Sequence, residues 1–443
     1  MIPIPFKHQT ETTQFILDHA RTFITSDPGT GKTRSVLDAL TQIEGRALVL
    51  APKSILQPSW GEDIKTFTPS LSYAIASAPD TARRAAFEGG ASVVITNHDA
   101  VKFLAKNPEL LEGFSTLVVD ESTAYKNYTS ARSKACKKLS KLFERTILMT
   151  GTPNPNGIID IWHQMTVLDG GERLGDSYWK FRGATHTPIA KGPFTEWVEK
   201  EGITDAIFAL IEDINIRHKF EDCISIPENF ITEVDFKLTA KHLKAYNLLK
   251  GESFLEHESG DVTALNAAVL TNKLLQAASG SVYDSDGAPL HLDSSRYELI
   301  IQLIEQREQC VVAFNWAHQK DELVKLAAKA KITYGIIDGS APAEDRAQAV
   351  KDFQAGKLRV IFAHPASAAH GLTLTKGTTT IWASPTYNAE HYAQFCKRIY
   401  RAGQTKRTET IHISAEGTID AKVYKILEGK TTKMGDLLEL LEL

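Results

Sequence analysis

The stretch Arg21–Leu40, RTFITSDPGTGKTRSVLDAL, leaves this chain few architectures to choose from. A β-type run (Thr22–Thr25) enters a glycine-rich loop, Asp27-Pro28-Gly29-Thr30-Gly31, and Lys32-Thr33 opens a helix with apolar Val36, Leu37 and Leu40. Strand, loop and helix in that order are the context of a phosphate-binding loop. Glycines let backbone N–H groups turn inward around a triphosphate, and the helix N-terminus adds partial positive charge. Asp27, Gly29, Thr30 and Gly31 would line the cradle for ATP, Lys32 would reach the β- and γ-phosphates, and the Thr33 hydroxyl would hold Mg²⁺. Ser26 stands where the first glycine of G-x-x-x-x-G-K-[ST] belongs. A glycine-rich turn before an ordinary helix is the alternative reading of the same residues.

A chain of 443 residues, 42% hydrophobic and 23% charged, has room for two or three domains with buried cores. It contains no apolar run long enough to cross a membrane, and Met1–Gln9 leads into a motif rather than a basic-then-apolar leader. Cys136, Cys223, Cys310 and Cys396 are scattered, which suits a reducing compartment and argues against a disulfide framework or a zinc site. The expectation is a cytoplasmic protein without a membrane partner. A net charge of −4 confines any nucleic-acid surface to local clusters, of which Lys126–Lys141 and Lys397–Arg407 are the candidates. A solvated helix face is the alternative for the first cluster.

Short apolar strands at Ala47–Leu50, Ser92–Thr96, Thr116–Val119 and Thr146–Met149 alternate with polar or amphipathic stretches such as Asp80–Phe87 and Ser130–Phe143. That pattern predicts a parallel sheet covered on both faces, with its ligand at the carboxyl ends of the strands. Val118-Val119-Asp120-Glu121 delivers two carboxylates at such an end: Asp120 to hold Mg²⁺ and Glu121 to polarise the attacking water. Thr150-Gly151-Thr152-Pro153 ends the next strand, and by itself reads as a Gly-Pro turn. The middle of the chain changes character, with helical stretches at Thr204–Ile216, Ala240–Leu249 and Val262–Ala278 and a hairpin over Gly280–Leu292. A second α/β lobe follows, with strands at Cys310–Phe314, Thr333–Ile337, Arg359–Phe362 and Thr379–Ala383, and no second phosphate loop. A helix Ala389–Arg401 would put Gln394, Arg398 and Arg401 on one face, where paired arginines answer the charge developing on a γ-phosphate.

The order of these motifs resembles the superfamily 2 helicases and, within them, the Swi/Snf family of DNA translocases. Phe6-Lys7-His8-Gln9 is similar to the adenine-reading Q motif, with Gln9 as the contact, and Ser26–Thr33 to motif I. Leu50–Ser54 followed by Trp60 resembles motif Ia and its Swi/Snf continuation, and Val94–His98 motif Ib. Asp120-Glu121 with Lys126-Asn127 resembles the family's extended motif II, and Thr150–Pro153 with Asn156 its motif III. Val311–Trp316, Asp338–Ser340 with Arg346 and Phe353, Ala366–Leu374 and Gln394–Gln404 resemble the later motifs in order. The resemblance implies two tandem RecA-like α/β lobes with helical insertions. Residues 1–160 would be the first lobe, 161–292 the protrusions and linker, 293–417 the second lobe, and 418–443 brace helices. It also implies that Gly371 joins the ATP contacts, and that Lys53, Ser54, Thr96 and Asn97, with Asn315, Trp316 and Thr373, face double-stranded DNA. Thr123 stands where the family usually has a histidine, and His370 where it usually has a small residue. No flanking segment for a further domain is expected, so the chain reads as a minimal motor of the phage and bacterial kind. An ATP-dependent translocase on double-stranded DNA follows, with an RNA helicase or a non-catalytic nucleic-acid adaptor as the alternatives.

Overall fold

Short runs of four or five apolar residues, too short for helices and continuous rather than alternating, belong to strands buried on both faces. The computed structural model describes residues 2–155, 157–191, 194–223, 225–258, 264–283, 288–368, 372–386 and 388–428, and divides the chain into two units, Met1–Ser225 and Ile226–Leu443.

The first unit is built on a seven-stranded sheet. Its strands are β1 (Arg21–Ile24), β2 (Arg46–Ala51), β3 (Tyr73–Ala76), β4 (Val93–Asn97), β5 (Phe114–Asp120) and β6 (Arg145–Met149); β7 (His186–Lys191) and β8 (Phe194–Glu199) form a separate antiparallel hairpin, and β9 (Asn215–Ile216) returns to the sheet. The order is β3-β4-β2-β5-β6-β1-β9, all parallel. Side-chain alternation splits each strand between two cores. Phe23, Leu48, Leu117, Val119 and Leu148 pack on one face with Cys136, Leu139, Ile161 and Met165, while Ile24, Val49, Val118 and Ile147 pack on the other with Ile16, Val36, Leu37 and Trp60. Register places Ala51 beside Asn97, and Asp120, Met149, Ile24 and Ile216 in one row, so the candidate residues all leave the sheet at its carboxyl edge.

The second unit repeats the plan with six strands: β10 (Asn229–Phe236), β13 (Cys310–Ala313), β14 (Tyr334–Ile337), β15 (Val360–Ala363), β16 (Thr379–Trp382) and β17 (Thr408–Ala415), in the order β10-β17-β16-β13-β15-β14, while β11 (Ser281–Tyr283) and β12 (Pro289–His291) make the expected hairpin. The hairpin's turn residues, Asp284–Gly287, lie outside the described residues. The two faces again carry two cores, one around Val312, Phe362 and Ile411 and one around Val311, Ile361 and Trp382.

Several elements differ from the sequence expectation. The helix expected over Thr204–Ile216 stops at Leu210, and Asn215–Ile216 is a strand because its backbone and the Asn215 side chain engage β1 and Thr25. Asn229–Phe236, in the region expected to be a helical connector, is the edge strand of the second sheet, paired residue for residue with β17. The helix expected over Ala389–Arg401 ends at Cys396. Beyond it the chain is drawn to the 372–377 loop, where Leu374 N–H donates to the Arg398 carbonyl at 3.0 Å and Gln404 Nε2 donates to the carbonyls of Thr375 and Gly377. Of the expected brace only residues 418–428 are described, and they include the helix Asp420–Leu427. No helix among them is long and apolar enough to cross a membrane. All four cysteines are free.

Candidate active site

Three neighbouring strands, β5, β6 and β1, end at the same edge of the first sheet, and each hands its chain to one part of the site. After β1, the phosphate loop turns through Gly29 at φ +90° and Gly31 at φ +81°, both left-handed, and Gly31 caps the helix Lys32–Leu40. The glycine at 31 is required by its positive φ; a Cβ there would also displace the end of the Gln9 side chain. Gln9 is buried against the loop and donates from Nε2 to the Thr30 carbonyl at 3.2 Å, while His8 Nε2 lies 2.7 Å from the same oxygen. Lys32 Nζ donates to the Ser26 and Asp27 carbonyls at 2.8 and 3.2 Å, which holds its ammonium at the loop. Thr30 closes the loop on itself through Oγ1 to Asp27 O, 2.9 Å, and Thr33 stands half-buried one residue past the lysine.

The serine that replaces the first glycine has a structural use. Ser26 Oγ accepts the backbone N–H of His218 at 3.0 Å, Asp27 Oδ2 accepts that of Phe220 at 3.1 Å, and Asp27 N–H donates to His218 O at 3.0 Å. The segment after β9 is thus laced along the loop, a support that the sequence reading missed. The exchange of glycine for a hydroxyl residue was its only signal.

After β5 come Asp120 and Glu121. Asp120 is 6% exposed, and its Oδ2 accepts the indole N–H of Trp60 at 2.8 Å. Glu121 adopts φ +52°, an uncommon conformation for a residue with a side chain and one that gathers at functional sites. Its Oε2 accepts from Thr150 Oγ1 at 3.3 Å, so the hydroxyl after β6 reaches the second carboxylate. Gly151 is pressed against Pro28 of the phosphate loop, where a Cβ would stand 2.7 Å from the ring. Behind both, the helix Ile159–Asp169 supplies Gln164, which accepts from Ser122 Oγ at 2.7 Å and donates to the Pro153 carbonyl at 2.7 Å, and Asp160, paired with Lys126 at 3.3 Å. Burial holds His163, on the same helix, down at about 4 against an ordinary 6.5, despite the Tyr125 carbonyl 2.6 Å from its Nδ1. The oxygen donors at this edge, a hydroxyl and a carboxylate, suit Mg²⁺, which keeps waters and phosphate oxygens and needs few protein ligands. Among the described residues no group of three His, Cys, Asp or Glu side chains could hold a metal by itself.

The residues expected to face a polymer divide. Lys53 is exposed and Ser54 and Asn97 half-buried, all at the same carboxyl edge. Thr96 is not: it is fully buried, and its hydroxyl donates to the Ala76 carbonyl at 2.6 Å, because a strand residue facing the core has no solvent side. In the second unit, Asn315, Trp316 and Thr373 are half-buried. The Asn315 amide donates to Ser384 O, Ser384 Oγ and Pro385 O at 3.0–3.2 Å, and Trp316 stacks on His318.

Arg398 and Arg401 do not share a helix face, since the helix has ended before them. They are nevertheless brought together by another device: both guanidiniums donate to the Leu372 carbonyl, at 3.3 and 2.9 Å, and Arg398 Nε also donates to Gln394 O at 2.7 Å. Gly371, His370 and Asn156 lie outside the described residues.

A phosphate loop, a paired carboxylate and a bridging threonine on one parallel sheet, followed by a second RecA-like unit carrying two gathered arginines, define a nucleoside-triphosphate-driven motor of the helicase class. Residues 8–279 match the model of the SNF2-related domain and residues 295–403 that of the helicase conserved C-terminal domain; the chain belongs to the SNF2-related family of superfamily 2 ATPase/helicase motors. It is 29% identical, over 99% of its own length and 98% of the other's, to the putative protein p41 of Acyrthosiphon pisum secondary endosymbiont phage 1. It is 25% identical to the putative ATP-dependent helicase/translocase YwqA of Bacillus subtilis, covering 92% of this chain but only 45% of that protein. The fold is also that of the Mycobacterium smegmatis helicase Lhr, solved with ssDNA and AMP-PNP, at a TM-score of 0.59 and 14% identity over 99% of this chain and 48% of that one.

Proposed function

We propose that the chain is a DNA-dependent ATPase that uses hydrolysis to move along double-stranded DNA. The observation that carries this reading is the meeting of Lys32, Asp120, Glu121 and Thr150 at one sheet edge, beside exposed Lys53. Gln9 would read the adenine, the N–H groups from Gly29 to Thr33 would hold the phosphates, and Lys32 would exchange its two carbonyl partners for phosphate oxygens. Thr33 and Asp120 would hold Mg²⁺, which when bound neutralises phosphate charge. Glu121 would orient the water and accept its proton, with Thr150 fixing its carboxylate. Arg398 and Arg401 would meet the γ-phosphate in the active arrangement, since the first unit's loop supplies no arginine of its own, and Gly371 would be a further ATP contact.

Lys53, Ser54, Asn97, Asn315, Trp316 and Thr373 would grip the backbone, so binding should be salt-sensitive and nearly indifferent to sequence. Thr96 is left out of that set because of its burial. Within residues 161–292, the segments outside β9 and β10 would serve as protrusions and linker. The protein would act as a monomer in the cytosol of a bacterium or of a phage-infected cell. The reading is tested by measuring ATP turnover with duplex DNA, single-stranded DNA and RNA side by side at several salt concentrations. The expected result is strongest stimulation by duplex DNA, falling with salt; a better response to RNA would overturn the choice of polymer, and no turnover with any of them would overturn the motor itself.

A further inference from the structure

One contact of the site belongs to none of the roles assigned so far. Trp60 is fully buried in the core of the first unit, yet its indole N–H points at Asp120 Oδ2, 2.8 Å away. A buried indole N–H needs an acceptor; the one this tryptophan takes is the carboxylate that would hold Mg²⁺, and a metal-holding carboxylate must not rotate. The geometry points to Trp60 as the positioning residue of Asp120: the indole N–H, held rigid by the packed ring, restricts rotation of the carboxylate about its χ2 and fixes which edge meets the metal.

The chain around Trp60 extends the inference. β2 ends at Ala51, and Pro52 leads into a single 3₁₀ turn, Lys53–Ile55. That turn runs directly into a π-helical turn, Leu56–Gly61, and then into the helix Glu62–Phe67. Exposed Lys53 and half-buried Ser54 thus stand on the same unbroken helical run as Trp60. π-Turns are uncommon, and they recur at functional sites. A pull on Lys53 and Ser54 by a polymer backbone shifts this run, and the indole passes the shift to Asp120. Polymer contact would then set the metal-holding carboxylate through seven residues of chain. This rests on the proposed function, and deepens it by naming how the polymer reaches the reaction.

The test uses the full chain, with Mn²⁺ as the metal probe and its free EPR signal as the readout in the presence of ADP. Trp60→Phe keeps most of the ring volume and removes the donor; it is expected to weaken nucleotide-dependent Mn²⁺ binding about tenfold, with metal-free ADP binding unchanged. Trp60→His keeps a ring N–H in less volume, so it should bind Mn²⁺ better than Trp60→Phe if the donor matters and worse if volume does. Lys53→Ala should lower duplex stimulation of hydrolysis in the wild-type background and add little in Trp60→Phe. Wild-type Mn²⁺ affinity in Trp60→Phe, a Trp60→His poorer than Trp60→Phe, or fully additive losses with Lys53→Ala would each overturn the assignment. Failure of the underlying reading looks different: the unaltered protein itself would then show no nucleotide-dependent Mn²⁺ binding.

Discussion

Lys32 and Arg401 share a need for a negative partner but differ in what they offer it. Lys32 is a point charge already held at the loop by two carbonyls. Lys32→Ala should abolish hydrolysis while leaving the far-UV spectrum and thermal midpoint unchanged; full turnover in a folded variant would refute the phosphate-loop assignment. Arg401 offers a planar fork, and arginines in this role contribute on the order of 10³–10⁵ in turnover in related NTPases. Arg401→Ala should therefore bind ATP nearly normally and lose most duplex-stimulated hydrolysis, and Arg401→Lys should not restore it. Arg398→Ala should also be impaired, and unchanged turnover in both alanine variants would leave them as structural arginines. Ser26 has a humbler task. Ser26→Ala removes the acceptor for the His218 N–H, and chemical denaturation should report a loss of about 1 kcal/mol.

At the scale of elements, what the sequence revealed depended on whether the signal was local. The apolar runs of β1, β2, β4, β5 and β6 fell within a residue or two of the observed strands, because strands covered on both faces carry no solvent-facing positions to break the run. β9 and β10 were invisible for the opposite reason: one is two residues long, and the other, an edge strand, is half polar. The arginine pair was found for the wrong local reason. Spacing suggested a helix, whereas the gathering is done by the Leu372 carbonyl, more than twenty residues away. Trp60 was noticed as part of a motif, but no spacing rule points an indole at a carboxylate sixty residues on.

The last described helix, Asp420–Leu427, is fixed by a comparable remote tie. Arg296, 2% exposed, pairs with Asp420 at 2.5 Å and also donates to the carbonyls of Ala278, Ala383 and Ile413. Arg296→Met should strand a buried carboxylate at a cost of about 3–5 kcal/mol, and pairing it with Asp420→Leu should recover much of the loss. Equal denaturation midpoints for wild type and Arg296→Met would show that the tie is dispensable.

For the whole molecule, acid is the revealing perturbation, because each unit buries histidines whose charged form burial disfavours, His163 and His318 foremost among them. Burial brings His163 in the first unit and His318 in the second to about 4, from an ordinary 6.5; nearby His291 and Arg296 push His318 the same way. A depressed histidine contributes its full stability above pH 6.5 and loses it progressively as pH falls toward 4. Each displacement is equivalent to about 3 kcal/mol at most. Both units should therefore weaken between pH 6.5 and 4. Asp338 adds to the loss at lower pH: burial would raise it, but Ser340, Lys320 and the backbone N–H groups of Ser340 and Ala341 carry it down to about 2. Urea midpoints measured from pH 7 to pH 4 should fall steadily, and His163→Gln should flatten the curve for the first unit alone; a pH-independent midpoint would contradict the assignment. The lacing of residues 215–220 along Ser26 and Asp27 carries a consequence for how this protein comes into being. A ribosome makes the phosphate loop early but its supporting strand nearly two hundred residues later, so the newborn chain cannot possess a finished nucleotide pocket until the whole first unit has emerged. On the proposed reading the arrival of β9 completes only the support of the pocket, and turnover waits longer still, for Arg398 and Arg401 of the second unit.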